Sequence, residues 1–189
     1  MTRNHVLVRH GESEFNQAFR KTRRDPGIID PPLTSLGIQQ IQQTADFFRD
    51  KDIQFCVSSP YQRALQTSAV LFDLTIQNLT VNFLVGEQFG FSCDIGSPRS
   101  ELEKKWPQID FENLVEVWWP SEAETENAVG KRGALFLREV SNRFHNTDKL
   151  VVVSHWGFIK SVTGLSLENG SVVEFREDLS NCVVYQPPL

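Results

Sequence analysis

The chain has 189 residues and a mass of 21.6 kDa, with 40% hydrophobic and 23% charged residues. This size and composition are typical of a globular protein with a sizeable core, and they exclude a disordered or fibrous one. The longest apolar runs are strand-sized and fall well short of the roughly 20 residues of a membrane-spanning helix. The net charge of −5 argues against general nucleic-acid binding. We therefore predict a single domain over residues 1–189 that has neither a nucleic acid nor a membrane as its partner.

Charge is distributed unevenly along the sequence. Residues 1–24 contain six basic and two acidic residues, whereas residues 101–126 contain eight acidic and two basic ones. A basic amino-terminal region in an acidic protein favours a localised anion site, with an uneven solvated surface as the alternative.

The cysteine pattern is informative about the cellular compartment of the protein. Cys56, Cys93 and Cys182 are widely spaced and form no CxxC pair, so neither a disulfide framework nor a zinc site is indicated. The first residues lead directly into an apolar run without a small-residue cleavage site, so we expect no signal peptide and a cytoplasmic location. The oligomeric state stays open, because an edge strand suited to pairing looks like any other edge.

Strand and helix patterns alternate along the chain. The predicted strands are residues 6–8, 55–58, 80–85 and 150–154, followed by a hairpin of residues 171–176 and 181–185. The predicted helices are residues 13–20, 34–48, 60–72, 98–106, 121–144 and 157–165. Thr34, Ser59 and Ser121 stand where helix N-caps are expected. This alternation predicts an α/β fold with a mostly parallel sheet, in which strand 150–154 is central because it is nearly all apolar.

Two histidines follow apolar strands at the sheet edge where such folds bind ligands. His10 and His155 lie one or two residues past their strands, so we expect the two imidazoles to meet. A neutral imidazole is a nucleophile near pH 7, and phosphorus is a suitable electrophile for it. Arg9 and Arg63 can give bidentate hydrogen bonds to a phosphoryl group. Each such residue alone is more often an ordinary polar loop residue, which is our interpretation of the other histidines, His5 and His145.

These residues belong to four short segments that follow one another in a fixed order. The segments are Arg9-His10-Gly11-Glu12 with Asn16, Pro32-Leu33-Thr34-Ser35-Leu36-Gly37, Ser58-Ser59-Pro60 with Arg63-Ala64 and Thr67, and Ser154-His155-Trp156-Gly157. Their series resembles the signature of the histidine phosphatase superfamily, the phosphoglycerate mutase-like group, over most of the chain. The resemblance implies a three-layer α/β/α fold around a mostly parallel sheet.

The resemblance also implies a catalytic site. His10 would be the nucleophile that becomes phosphorylated, while Arg9, Arg63 and His155 would stabilise the transferring group. Gly11 would allow the backbone to approach the phosphate closely. The family uses no metal, and no metal-ligand spacing occurs in this sequence, so we expect no cofactor for this protein. The residues implied to bind substrate are Arg9, Gly11, Ser13, Asn16, Arg63 and His155.

The reaction further needs an acid for the leaving oxygen and, in a phosphatase, a base for the attacking water. Family members place this carboxylate after the third strand, where Glu87 is the best match. The pKa of Glu87 would have to be raised for it to serve as an acid. In the alternative, Glu87 is a solvated loop residue and Glu101 or Glu103 is the acid.

Some residues depart from the family pattern or extend it. Trp156 stands where a small residue is common, and would narrow the pocket or give it an aromatic wall. The basic residues of the amino-terminal region can bind a second anionic group of the substrate: Arg20, Lys21, Arg23 and Arg24. The remaining tryptophans are interpreted as core residues: Trp106, Trp118 and Trp119.

Three activities are compatible with such a site. A metal-independent phosphatase, acting on a small phosphorylated metabolite through a phosphohistidine, is favoured. A cofactor-dependent phosphoglycerate mutase would need inserted segments and a closing tail, for which the 24 residues after Leu165 leave little room. A catalytically inactive phosphate-binding module ranks last, because every expected catalytic residue type is present. The sequence does not name the substrate, and we expect residues 86–120 to select it.

Overall fold

The computed structural model describes residues 4–72, 79–144, 150–176 and 181–188. His145 lies outside the described residues, as does the side chain of His5. The strands are β1 (Asn4–Arg9), β2 (Phe55–Ser58), β3 (Leu79–Val81), β4 (Leu150–Ser154), β5 (Val172–Arg176) and β6 (Asn181–Tyr185). The helices are α1 (Glu14–Thr22), α2 (Ser35–Phe48), α3 (Gln62–Phe72), α4 (Arg99–Lys105), α5 (Glu126–Arg143) and α6 (Trp156–Thr163).

The strands form one mixed sheet in the order β3-β2-β4-β1-β5-β6. The first four strands of this order pair in parallel, whereas β5 and β6 join as an antiparallel hairpin beside β1. The predicted α/β fold with a mostly parallel sheet and a terminal hairpin is therefore confirmed. As expected, β4 is an inner strand, and all five of its residues are buried.

Helices cover both faces of the sheet, as the side chains of β4 show. Val151 and Val153 pack in a cluster that includes residues of α2 and α3. Leu150 and Val152 pack in a second cluster with residues of α5 and α6. Successive strand residues point to opposite faces, so this alternation defines the three-layer α/β/α arrangement. Within the described ranges, no helix is both long and apolar enough to cross a membrane.

Three local predictions are wrong. The third strand ends at Val81 and is followed by a short 3-10 helix, Phe83–Val85. Helix α5 begins later than expected, because Thr125 caps it by accepting a hydrogen bond from the amide of Ala128 at 3.2 Å. Helix α3 likewise begins at Gln62, and Ser59 does not cap it. The hydroxyl of Ser59 instead lies 2.7 Å from His155 Nε2.

The backbone of helix α2 lies directly against the backbone of the loop that follows His10. A Cβ atom on Gly37 would lie 2.1 Å from the carbonyl oxygen of Glu12, and one on Gly11 would lie 2.5 Å from that of Gly37. The predicted N-cap Thr34 is confirmed, and its amide donates to the same Glu12 oxygen at 2.9 Å. Glycine at both positions is explained by this close approach.

Replacing Gly37 with Ala should therefore lower the free energy of unfolding by about 1–3 kcal/mol, because two backbone segments must separate. Gly130→Ala is the matched control, since a Cβ there meets nothing within 4 Å inside α5. That change should stabilise the protein by about 0.5–1 kcal/mol through helix propensity. Denaturant unfolding of both variants gives the two values. A Gly37→Ala variant as stable as Gly130→Ala would contradict the described contact.

Candidate active site

Two buried imidazoles meet at the carboxyl ends of β1 and β4. These strands pair in parallel with Arg9 opposite Ser154, so the residues that follow each strand end are neighbours. The rings of His10 and His155 are 5.0 Å apart between centroids and 58° inclined. His10 is 2% exposed and His155 is fully buried. The meeting expected from the strand ends is therefore present.

The surroundings of His10 determine which of its ring nitrogens is free. Its Nδ1 lies 2.7 Å from the carbonyl oxygen of Gly11, which can only accept, so Nδ1 carries a proton. Burial lowers the pKa of His10 well below its usual value, and the charges of Arg63 and Arg9 lower it further. The ring is therefore neutral at pH 7, and its Nε2 keeps an unshared electron pair.

His155 is neutral for the same reasons. Burial lowers its pKa well below the usual value, with Arg63 and His10 as further causes. Its Nε2 lies 2.7 Å from the hydroxyl of Ser59. Its Nδ1 is buried and has no hydrogen-bond partner within the described part of the chain. A buried polar atom of this kind is suited to a ligand.

Arg9 brings a second unpartnered donor to the same place. One of its terminal nitrogens donates to the carbonyl of Leu167, while its Nε is buried without a partner among the described residues. Burial lowers the pKa of Arg9, although the carboxylates of Glu87 and Glu168 oppose the shift. An arginine remains charged despite such a shift, so the site holds a fixed positive charge.

Arg63 is held by Cys93 and Asp94, which lie in the segment after the 3-10 helix Phe83–Val85. Its Nη1 donates to the carbonyl of Cys93 at 2.8 Å, and its Nη2 is 3.4 Å from Asp94 Oδ1. Its guanidinium also lies 4.4 Å from the ring centroid of Tyr61. Burial disfavours its charge, but Cys93 and Asp94 offset this, and the pKa of Arg63 is raised.

The start of α3, which carries Arg63, is capped from a distant loop. Asp30 accepts a hydrogen bond from the amide of Gln62 at 2.9 Å through Oδ1. Its Oδ2 accepts from the amide and hydroxyl of Ser97 at 3.1 and 2.6 Å. The residue is buried and has a positive φ of 39°. One carboxylate thus joins the two segments that fix Arg63.

Glu87 lies at the same cavity and is restrained from two sides. Its Oε1 accepts from the amides of Gly157 at 2.7 Å and Gln88 at 2.8 Å. A Cβ on Gly157 would lie 2.6 Å from this oxygen, so the glycine permits the contact. Removal from water raises the pKa of Glu87, and the charge of Asp94 raises it further, while Arg63 and Arg9 oppose them. Because Oε1 already accepts two hydrogen bonds, a proton on this carboxyl group belongs on Oε2.

Arg132 of α5 fixes the segment around Glu87. Its Nη1 and Nη2 donate to the carbonyls of Leu84, Gly86 and Glu87 at 2.7–3.1 Å. Its Nε and Nη2 also bind the two oxygens of Glu124, each at 2.9 Å. All five guanidinium donors are thus used, three on the loop of Glu87 and two on the carboxylate of Glu124.

A cavity of about 650 Å³ connects these groups and is within the range of small-molecule sites. Most of the predicted site residues line it: Arg9, His10, Ser13, Asn16, Arg63 and Glu87. Asn16 Oδ1 accepts from the amide and hydroxyl of Ser13 at 3.1 and 3.0 Å, which leaves its amide nitrogen as a donor for a ligand. His155 and Gly11 are not among the lining residues. His155 contacts the His10 ring, and Gly11 packs on Gly37.

The other residues proposed from the sequence fall into those that line the cavity and those that do not. Arg23 and Trp156 line the cavity. Arg20 instead pairs with the buried carboxylate of Glu12 at 2.6 Å, while Lys21 and Arg24 are exposed. The core interpretation is confirmed for Trp118, which is buried against Tyr61, whereas Trp106 and Trp119 are only partly buried against the same cluster.

Four supporting residues were missed by sequence reasoning: Asp30, Asp94, Ser59 and Arg132. Each acts across the fold. Ser59 belongs to one of the four segments, but its interpretation as an N-cap hid its contact with His155. Of the other three, which belong to no motif, only Asp30 left a local trace, since it precedes two prolines in a loop. A neutral nucleophilic imidazole, two buried guanidinium groups and a carboxyl group with a raised pKa together form a site suited to transfer of an anionic group.

The family comparison agrees with this chemistry. The family model described as the histidine phosphatase superfamily (branch 1) matches residues 5–186. The chain therefore belongs to the histidine phosphatase superfamily.

Named relatives cover most of the chain. A protein of Hydrogenobacter thermophilus, named as a phosphoserine phosphatase, is 28% identical over 180 residues, which are 86% of this chain and 80% of that protein. A 2,3-bisphosphoglycerate-dependent phosphoglycerate mutase of Allorhizobium ampelinum is 27% identical over 173 residues, which are 86% of this chain and 78% of the mutase.

Solved structures show the same fold. A mycobacterial glucosyl-3-phosphoglycerate phosphatase complexed with VO3 aligns with a TM-score of 0.67 and 19% identity, covering 99% of this chain and 100% of that one. The phosphoserine phosphatase of Entamoeba histolytica, in complex with 3-phosphoglyceric acid, aligns with a TM-score of 0.65 and 20% identity, covering 98% and 97%.

The neutrality of His10 has a consequence for stability. Its folded pKa lies below the ordinary value of 6.5, so between the two values only the unfolded chain binds a proton. The contribution of His10 to stability is full above pH 6.5 and is lost as the pH falls toward the folded pKa, at up to about 1.4 kcal/mol per pH unit. The difference in free energy of unfolding between wild type and His10→Asn should follow this slope in urea titrations from pH 8 to 5. A constant difference over that range would contradict the assigned burial.

Proposed function

We propose that this protein is a metal-independent phosphatase that hydrolyses phosphomonoesters through a phosphohistidine on His10. The observation that carries the proposal is the hydrogen bond from Nδ1 of His10 to the Gly11 carbonyl, which leaves Nε2 as an unprotonated nucleophile in a cavity that Arg9 and the buried Arg63 also line. Such a nitrogen needs no further activation to attack phosphorus at neutral pH.

The reaction proceeds in two transfers. Nε2 of His10 forms a bond to phosphorus while the bond from phosphorus to the ester oxygen breaks, and Glu87 gives its proton to the departing oxygen. Water then attacks the phosphohistidine and returns a proton to Glu87, the N–P bond breaks, and inorganic phosphate leaves. The raised pKa of Glu87 supports this exchange, since the same carboxyl group must both give and take a proton.

The transferring group carries negative charge on its three equatorial oxygens. Arg9 Nε is a buried donor without a partner in the described residues, and Asn16 offers its amide nitrogen. His155, which does not line the cavity, packs against the His10 ring. Arg63 adds a charge held in place by Asp94. We assign these donors to the phosphoryl oxygens, because donors fixed in a water-poor site stabilise charge without having to reorganise.

The structure favours Glu87 over the alternative acids. Glu101 and Glu103 lie exposed on α4, Glu103 pairs with Arg99 at 3.5 Å, and neither lines the cavity. The role of Glu87 therefore rests on its position and on its surroundings.

The substrate is proposed to be a small phosphorylated metabolite, in keeping with relatives named for phosphoserine and with neighbours named for phosphorylated sugar acids. We place the reaction in the reducing cytoplasm, because Cys56, Cys93 and Cys182 are all free.

The decisive variant is His10→Asn, assayed with p-nitrophenyl phosphate in excess EDTA. Wild type should hydrolyse the ester in EDTA, and the variant should lose at least about a thousandfold in kcat because no nucleophile remains. Retention of the wild-type circular dichroism spectrum controls for folding. Activity that needs a metal, or that survives in the variant, would refute the mechanism.

Glu87→Gln separates the acid step from nucleophilic attack. For ethyl phosphate, whose alcohol must be protonated, kcat/KM should fall about 100-fold or more. For p-nitrophenyl phosphate it should change little, because nitrophenolate leaves without a proton and kcat/KM reports only the steps up to its loss. The variant should also show a burst of about one nitrophenolate per enzyme, since water attack is slowed.

Glu103→Gln is the matched control and should leave both esters unaffected. Equal losses of kcat/KM on both esters in Glu87→Gln would remove the acid role from this residue. A loss on ethyl phosphate in Glu103→Gln would transfer the role to α4.

A further inference from the structure

Next to the arginines, the cavity has an aromatic wall, which we define as Phe15, Phe19, Phe89, Phe91 and Trp156. Phe15 and Phe19 come from successive turns of α1 and stack nearly parallel, with centroids 5.5 Å apart. Phe91 approaches these rings at 5.7 and 5.5 Å from another segment of the chain. The wall is therefore assembled from distant parts of the sequence around one space.

Two members of the aromatic wall line the cavity and are also exposed over much of their surface. Phe91 is 47% exposed and Trp156 is 37% exposed. Exposed aromatic surface is unfavourable in water, and a grouped patch of it at a cavity indicates a ligand that covers it. Trp156 is also fixed, because its Nε1 donates to Ser166 at 2.8 Å.

The aromatic wall is tied to the proposed phosphate site by Asp94. Its Oδ2 accepts from the amides of Gly90 and Phe91 at 3.0 and 2.9 Å, while its Oδ1 faces Arg63 at 3.4 Å. One carboxylate thus sets the position of the Phe91 backbone relative to the guanidinium. Because the two parts of the site are already fixed relative to each other, binding a substrate that contacts both costs little free energy for ordering the protein.

Charge in the cavity gives little support to a second ionic group. Apart from Arg9 and Arg63, the only cationic side chain among the described lining residues is that of Arg23, which is exposed. The carboxylate of Glu124 is already bound by Arg132. Besides the two arginines assigned to phosphate, a carboxylate on the substrate would meet only the exposed side chain of Arg23 among the described lining residues, and would lose water against the aromatic rings.

We propose that the preferred substrates are small phosphomonoesters whose alcohol carries a flat apolar ring close to the ester oxygen, bound against the aromatic wall. This substrate class rests on the proposed phosphatase function and narrows it. The ring would contact Phe15, Phe19 and Phe91 while the phosphoryl group faces His10.

The test compares 2-phenylethyl phosphate with ethyl phosphate. Both esters release a primary alcohol of similar acidity, so a difference in kcat/KM reports binding of the ring rather than leaving-group chemistry. We expect the phenyl ester to be favoured at least about tenfold in wild type. Phosphoserine and 3-phosphoglycerate serve as charged comparison substrates of similar size, and their kcat/KM should be lower than that of the phenyl ester.

Phe91→Ala and Phe83→Ala form a matched pair, since the two rings are 47% and 48% exposed and only Phe91 lines this cavity. Phe91→Ala should reduce the preference for the phenyl ester about fivefold or more while leaving ethyl phosphate within about twofold. Phe83→Ala should retain the full preference.

Three results would overturn the substrate class while leaving the phosphatase intact. They are equal kcat/KM for the phenyl and ethyl esters, faster turnover of phosphoserine or 3-phosphoglycerate than of the phenyl ester, and equal effects of Phe91→Ala and Phe83→Ala. Failure of the proposed function is distinguishable, because no ester, ethyl phosphate included, would then be hydrolysed in a His10-dependent manner, and both proposals would fall.

Discussion

The site depends on the parallel pairing of β1 with β4. This pairing sets Arg9 opposite Ser154, and the next residue of each strand is a histidine. A shift of one residue in this register would turn one imidazole to the opposite face of the sheet, away from its partner. The register is well specified, because β4 is buried on both faces between helices. The backbone contact between Gly37 and Glu12 then keeps the loop of His10 in place at the strand end.

One physical cause prepares the protonation states of the site. Removal from water disfavours charge on every group, so it lowers the pKa of both histidines and raises that of Glu87. Burial alone therefore produces both the neutral imidazole and the carboxyl group that can hold a proton. Arg9 and Arg63 remain charged in the same surroundings. Their positive charge is then available to an incoming anion.

Local signals predicted much of the fold and the main candidate residues. The bounds of β2 and β4 and the N-cap Thr34 follow from short stretches of sequence, and so does the position of His10 and His155 at strand ends. These features depend on propensity, alternation and strand direction, which neighbouring residues determine.

Predictions failed where a distant residue provides the interaction. Ser59 has the form of an N-cap, but α3 receives its cap from Asp30, more than 30 residues earlier, and the serine is left for His155. The sequence pattern gives Arg132 the look of an exposed residue of an amphipathic helix, yet its donors bind the loop of Glu87 and the carboxylate of Glu124. Asp94 lies in a stretch without periodicity. Such contacts are set by tertiary packing and have no local pattern to read.

The double use of Asp94 bears on how the specificity of this protein can be redesigned. Mutations near Phe91 that move its backbone also disturb the counter-charge of Arg63, so a new leaving-group preference gained there would come with weaker phosphate binding. Phe19 belongs to α1 and is connected to Asp94 only indirectly, through the contact of its ring with that of Phe91. Combinatorial libraries aimed at new substrates therefore belong at Phe19, where a change of side chain alters the shape of the cavity without moving the backbone that Asp94 holds.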